Sequence, residues 1–97
     1  SALIYIDDNG SKVVVASKAG DSRPPAWLLN LQANPEVEYQ LNRVRVAATT
    51  EVLEKGHPDH DRLWKEHNVR NAGRYDEYQL LTERSIPLVR LVPSQAD

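Results

Sequence analysis

Ninety-seven residues give room for one domain with a real but small core, and 40% hydrophobic with 27% charged residues is an ordinary globular balance. A net charge of −2 lacks the basic footprint of a nucleic-acid-binding domain, and the absence of cysteine excludes disulfides, thiolate metal ligands and cysteine nucleophiles. No apolar run approaches the ~20 residues that cross a bilayer and no signal-peptide pattern is present, so the expectation is a cytoplasmic domain. Leu3-Ile4-Tyr5-Ile6 is strand-like from the outset, which suggests a natural domain that begins upstream of Ser1.

Residues 2–6 and 12–17 are apolar, with Asn9-Gly10 between them. Asn-Gly suits a two-residue hairpin turn in which both positions take φ > 0, and that turn sets Ile6 opposite Val13 and Ile4 opposite Val15. Val13-Val14-Val15-Ala16 is apolar at every position, the pattern of a strand covered on both faces. Pro24-Pro25 suits the first turn of a helix, and Pro35 ends that helix by about Asn34. Val37, Tyr39 and Leu41 alternate with polar residues, as do Val44, Val46, Ala48, Thr50 and Val52. A turn at Asn42-Arg43 pairs Leu41 with Val44, Tyr39 with Val46 and Val37 with Ala48, which puts the apolar residues on one face.

His57-Pro58-Asp59-His60-Asp61 reads as the start of a second helix, with Leu63, Trp64 and His67 as its narrow apolar stripe. Gly73 interrupts it, and Arg74 to Glu83 reads as a third helix on which Tyr75, Tyr78 and Thr82 share a face. Ile86 to Val92 closes as a strand, with Pro87 at its start or on an edge, and Pro93 to Asp97 is tail. The order β-β-α-β-β-α-α-β gives an α+β fold: a small split β-barrel of antiparallel strands with short helices, one domain over residues 1–97.

The strand end and loop from Ser17 to Gly20, ahead of a helix start, gather backbone N–H groups suited to an anion. By helical spacing Trp27 is a core residue. His57, His60, Asp61 and His67 do not share one helical face and lack metal-site spacing, so no metal is expected. Ser17 has no G-x-S-x-G setting and no acid pair stands out, which argues against acyl transfer and glycoside chemistry. Tyr75 and Tyr78, one turn apart, present either phenols to a cleft or packing at the edge of the core.

Taken together, Val13-Val14-Val15-Ala16-Ser17-Lys18-Ala19-Gly20, Pro25-Ala26-Trp27-Leu28-Leu29-Asn30-Leu31, Ala33-Asn34-Pro35-Glu36-Val37, Arg62-Leu63-Trp64, Tyr75-x-x-Tyr78-Gln79-x-x-Thr82 and Ile86-Pro87-Leu88-Val89-x-Leu91 resemble the deazaflavin-dependent nitroreductase family. These are split-barrel proteins that use coenzyme F420. The resemblance implies that Val15, Ala16, Ser17 and Lys18 line the deazaflavin and its linker, and that Ala26, Trp27, Leu28, Leu29 and Asn30 close over it. It implies that Tyr75 reaches the cofactor, that Tyr78 and Tyr5 face the substrate, and that Tyr78 with Tyr75 carries the catalytic role. The implied activity is hydride transfer to an electron-poor small molecule: a quinone, an activated alkene or a nitro-aromatic. The alternatives are a non-catalytic cofactor- or ligand-binding protein and an FMN-using relative. A homodimer and a peripheral membrane contact stay open. The chain departs from the family in lacking a G-R-x-S-G-x-P-R-type segment, in having Ala72 where nitro-reducing members have a tyrosine, and in having Ala19 for a glycine.

Overall fold

The computed structural model describes residues 5–17, 26–41 and 43–94. In chain order these form β1 (Tyr5–Asp8), β2 (Ser11–Val15), α1 (Ala26–Ala33), β3 (Glu36–Leu41), β4 (Val44–Leu53), α2 (His60–Arg70), α3 (Arg74–Leu80) and β5 (Leu88–Pro93). The strands make one antiparallel sheet in the order β1-β2-β5-β4-β3, so the last strand threads between the two hairpins. The expected α+β class and antiparallel architecture are observed.

Local chemistry explains the hairpins. Asn9 (φ 52°) and Gly10 (φ 88°) both take left-handed conformations, and Ile6 faces Val13 in the resulting register. The second hairpin pairs Val37 with Ala48, Tyr39 with Val46 and Leu41 with Val44, with Arg43 at φ 69°. The pairing of Ile4 and the Pro24-Pro25 helix start lie outside the described residues.

β2 explains its own composition. Val13 and Val15 pack with Ile6, Leu53, Leu63, Tyr75, Ile86 and Leu88 on the face covered by α2 and α3. Val14 and Ala16 pack with Leu28, Leu31 and Val89 on the face covered by α1. An uninterrupted apolar strand is what a sheet sandwiched between helices requires.

Two helix boundaries differ from the sequence expectation. Helix α2 begins at His60, not His57, because the chain first turns: the His57 ring Nδ1 accepts from the Asp59 N–H (3.1 Å), and the His60 N–H donates to the His57 carbonyl (3.0 Å). Helix α3 ends at Leu80, short of Glu83, because Gln79 clamps the chain behind it. Its side-chain amide donates to the carbonyls of Arg84 (2.7 Å) and Thr82 (3.3 Å), and its oxygen accepts from the Ile86 N–H (2.9 Å).

Candidate functional site

Trp27, Asn30 and Leu31 recur at i, i+3 and i+4 on one flank of α1, and Asn34, whose N–H donates to the Asn30 carbonyl at 2.9 Å, continues that flank just past the helix end. Together with Val14, Leu91, Val37 and Tyr39 they line an open groove of about 430 Å³. The floor is aliphatic, one wall is indole, and the side-chain amides of Asn30 and Asn34 supply directional polarity. This is the composition of a small-molecule site, and the volume lies in the range of one. Glu36 and Glu38 also line the groove.

Register extends the same sheet face beyond the groove. Tyr5 pairs with Val14 and Asp7 with Lys12, so Tyr5, Asp7 and Lys12 all emerge on the α1 side. The Lys12 ammonium pairs with the Asp7 carboxylate and stands 5.0 Å from the centre of the Tyr5 ring. The Asp7 hydrogen bond, reinforced by the phenols of Tyr5 and Tyr39, raises the Lys12 pKa above its ordinary value.

The other expected site residues divide between layers. Leu28 is buried beneath α1, while Ala26 and Leu29 are exposed. Ala16 is buried on the α1 side, and its N–H donates to the Pro87 carbonyl at 3.0 Å. Ser17 is half-buried at the strand end, and Lys18 lies outside the described residues. Val15 belongs to the opposite layer, with Tyr75. There, the Tyr75 ring meets Tyr78 edge-on at 6.0 Å and His67 edge-on at 5.6 Å, and lies 6.4 Å from Trp64. Burial pushes the Tyr75 phenol up from its ordinary pKa, which keeps it a proton-bearing donor. Among the described residues neither tyrosine hydroxyl has a hydrogen-bond partner on the protein. Trp27 and the tyrosine pair therefore do not share one cavity; they flank β2 from opposite sides.

Lys12, Tyr39, Asn34 and Leu91 were not assigned to the site from the sequence. Tyr39 was legible in its hairpin register, but its place beside Trp27 depends on β5 bridging β2 and β4, a pairing across the chain that no local pattern specifies. No cluster of potential metal ligands occurs among the described residues, and none of their helices is long and apolar enough to cross a membrane.

The sequence pattern of the F420H(2)-dependent quinone reductase family matches residues 1–93. This chain belongs to that family. It is 43% identical over 91 residues to a Mycobacterium tuberculosis protein named F420H(2)-dependent quinone reductase, a match covering 94% of this chain and 61% of that relative. The chain thus spans about three-fifths of the length of the family member it matches. Among solved structures it resembles an F420-H2 dependent reductase, FDR-A, with a TM-score of 0.77 and 33% identity over 92% of this chain and 76% of that one. A second structure, described as a domain-swapped dimer, gives the same TM-score and identity over 92% of this chain and 65% of the other.

Proposed function

We propose that the chain carries the deazaflavin-binding fold of an F420H2-dependent reductase whose acceptor is a quinone. The family assignment supports the cofactor and the acceptor class. The observation that carries the reading to this chain is the Trp27-walled groove floored by Val14 and Leu91. Its aliphatic floor and indole wall suit a flat fused ring, and its amides suit a ring edge that carries carbonyl and N–H groups. Glu36 and Glu38 line the groove and disfavour an anionic tail within it, which directs the tail toward the strand end with Val15, Ala16, Ser17 and Lys18.

When bound, the reduced deazaflavin supplies the hydride. The chain supplies the rest. Trp27 and Leu31 exclude water from one side of the groove, and Asn30 and Asn34 hold orientation through their amides. Tyr5 and Tyr39 bound the acceptor's approach, and the Lys12 ammonium favours negative charge developing on a reduced acceptor oxygen. Tyr78, with Tyr75 packed against it, lies on the opposite face of the sheet, so its proposed role as proton donor applies to an acceptor that reaches that face. Activated alkenes and nitro-aromatics remain secondary acceptors in this proposal, and a homodimer is its proposed assembly.

The alternative is a protein that binds and stores the cofactor without transferring hydride. Titration with F420, followed by ring fluorescence, tests binding. Anaerobic addition of menadione to the reduced complex tests transfer, and reoxidation no faster than without the chain leaves only storage.

A further inference from the structure

Arg84 lies in the α3–β5 connection, and its Nε, Nη1 and Nη2 are all closed off from solvent with no hydrogen-bond partner among the described residues. The other well-covered arginine shows how unusual that is. Arg90 has Glu51 and Asp59 at 2.8 Å and Asp8 at 3.5 Å. A guanidinium cannot relieve its burial by losing a proton, so it needs a negative partner.

The surroundings are built to hold it. The Arg84 N–H donates to the Thr82 Oγ1 (3.1 Å) and its carbonyl accepts from Gln79 (2.7 Å), so the turn carrying the side chain is fixed from both ends. Arg84 lines a cleft of about 190 Å³ with Leu28 and Gln32 of α1, Glu54, Ser85 and Pro87. This cleft occupies the flank of α1 away from the Trp27 groove. Glu54 is the acid of the lining, and it makes no ion pair with Arg84 among the described residues.

We propose that Arg84 is an anion-binding residue, and that the cleft between α1 and the α3–β5 turn receives a phosphate or carboxylate group. The fork of the guanidinium matches two oxygens of such a group at once, and Ser85 and Gln32 offer further donors at the rim. The anion is either the acidic part of a bound cofactor or a free small anion. Its chemistry is the same in both cases.

The test compares the melting of the full chain in potassium phosphate with that in potassium chloride at equal ionic strength. Phosphate should raise the Tm of the unsubstituted chain by roughly 5–10 °C at ten times its Kd. Arg84→Gln should lose that rise and, in chloride, melt no lower than the parent, because an uncompensated buried charge has gone. Glu54→Gln should tighten phosphate binding several-fold by removing a repulsive neighbour. Arg84→Gln melting lower in chloride, with the same phosphate rise as the parent, overturns the proposal. So does Glu54→Gln melting lower in chloride without phosphate sensitivity, which would make Glu54 the hidden partner.

The Arg84 Nε–H resonance of the unsubstituted chain provides a readout independent of any variant. It should shift saturably with phosphate, and an unmoved resonance overturns the site. F420 and its riboside, which lacks phosphate and glutamyl tail, identify the source. A tenfold loss of F420 affinity in Arg84→Gln with the riboside unchanged assigns the anion to the cofactor, whereas unchanged F420 affinity with the phosphate response lost assigns a free anion. Failure of F420 to bind the unsubstituted chain, with the phosphate response intact, counts against the proposed function and not against this site.

Discussion

His67 Nε2 donates to the carbonyl of Val13 across 3.0 Å, and both residues are fully buried. The bond ties α2 to the centre of β2, on the layer that also holds Tyr75. Because a carbonyl only accepts, the imidazole must carry its proton on Nε2. Burial, opposed by this bond, lowers the His67 pKa below its ordinary 6.5. The folded state thus binds a proton more weakly than the unfolded state. The stabilisation is fully present above pH 6.5 and is lost as the pH falls from there toward the lowered folded value. Tm should fall between pH 7 and pH 5 in the parent, and His67→Gln should flatten that slope while costing about 2 kcal/mol at pH 7. An equally steep slope in the variant would assign the pH dependence elsewhere.

A second acid-sensitive device acts at lower pH. Arg62 binds Asp8 bidentately at 3.1 and 3.2 Å, and Arg90 joins Asp8, Asp59 and Glu51, which links β1, β4, β5 and the start of α2. The hydrogen bond from Arg62 leads the causes that lower the Asp8 pKa, and the bond from Arg90 leads those for Asp59. Their stabilisation is present above the ordinary carboxylate value of 3.8 and is lost as pH falls below it. Acid unfolding should therefore show two separable windows. Arg90→Ala should destabilise the chain by about 2 kcal/mol at pH 7 and erase much of the lower window, as read from urea melts across pH.

Gln79 predicts a local effect. Gln79→Ala removes the donors to Arg84 and Thr82 and the acceptor for Ile86. The expected cost is about 1–2 kcal/mol, with hydrogen exchange at the Ile86 amide accelerated far more than exchange in β2. Uniform acceleration would mean that the clamp serves the whole fold and not the turn.

For the site, Trp27→Ala should weaken F420 binding at least tenfold and Trp27→Phe less, with Tm nearly unchanged because the indole is only partly buried. Equal losses in both variants would deny the indole its role as a wall. Tyr78→Phe should lower kcat with little effect on F420 Kd, since a proton donor acts in turnover and not in holding the cofactor. Unchanged kcat would assign Tyr78 to packing against Tyr75.

Much of the fold was legible because it is local. Asn9-Gly10 specifies its turn through backbone sterics, the alternation from Val37 to Val52 specifies its register, and the unbroken apolar run of β2 announces cover on both faces. What was not legible depends on distant partners. Nothing near Leu88 says that β5 inserts between β2 and β4, and that insertion decides which side chains share a layer. Trp27 and the tyrosine pair could be recognised by motif, yet their separation by the sheet follows only from this strand order. The Gln79-x-x-Thr82 part of the family motif carries no assigned role in sequence, and in the structure its side chains bind backbone and fix the turn at Arg84.

The most direct test of the proposed reductase is anaerobic stopped-flow mixing of menadione with reduced F420 in the presence and absence of the chain. The chain should accelerate reoxidation saturably, and Trp27→Ala should slow it at limiting cofactor. Reoxidation at the same rate with and without a folded chain would contradict the proposed reductase.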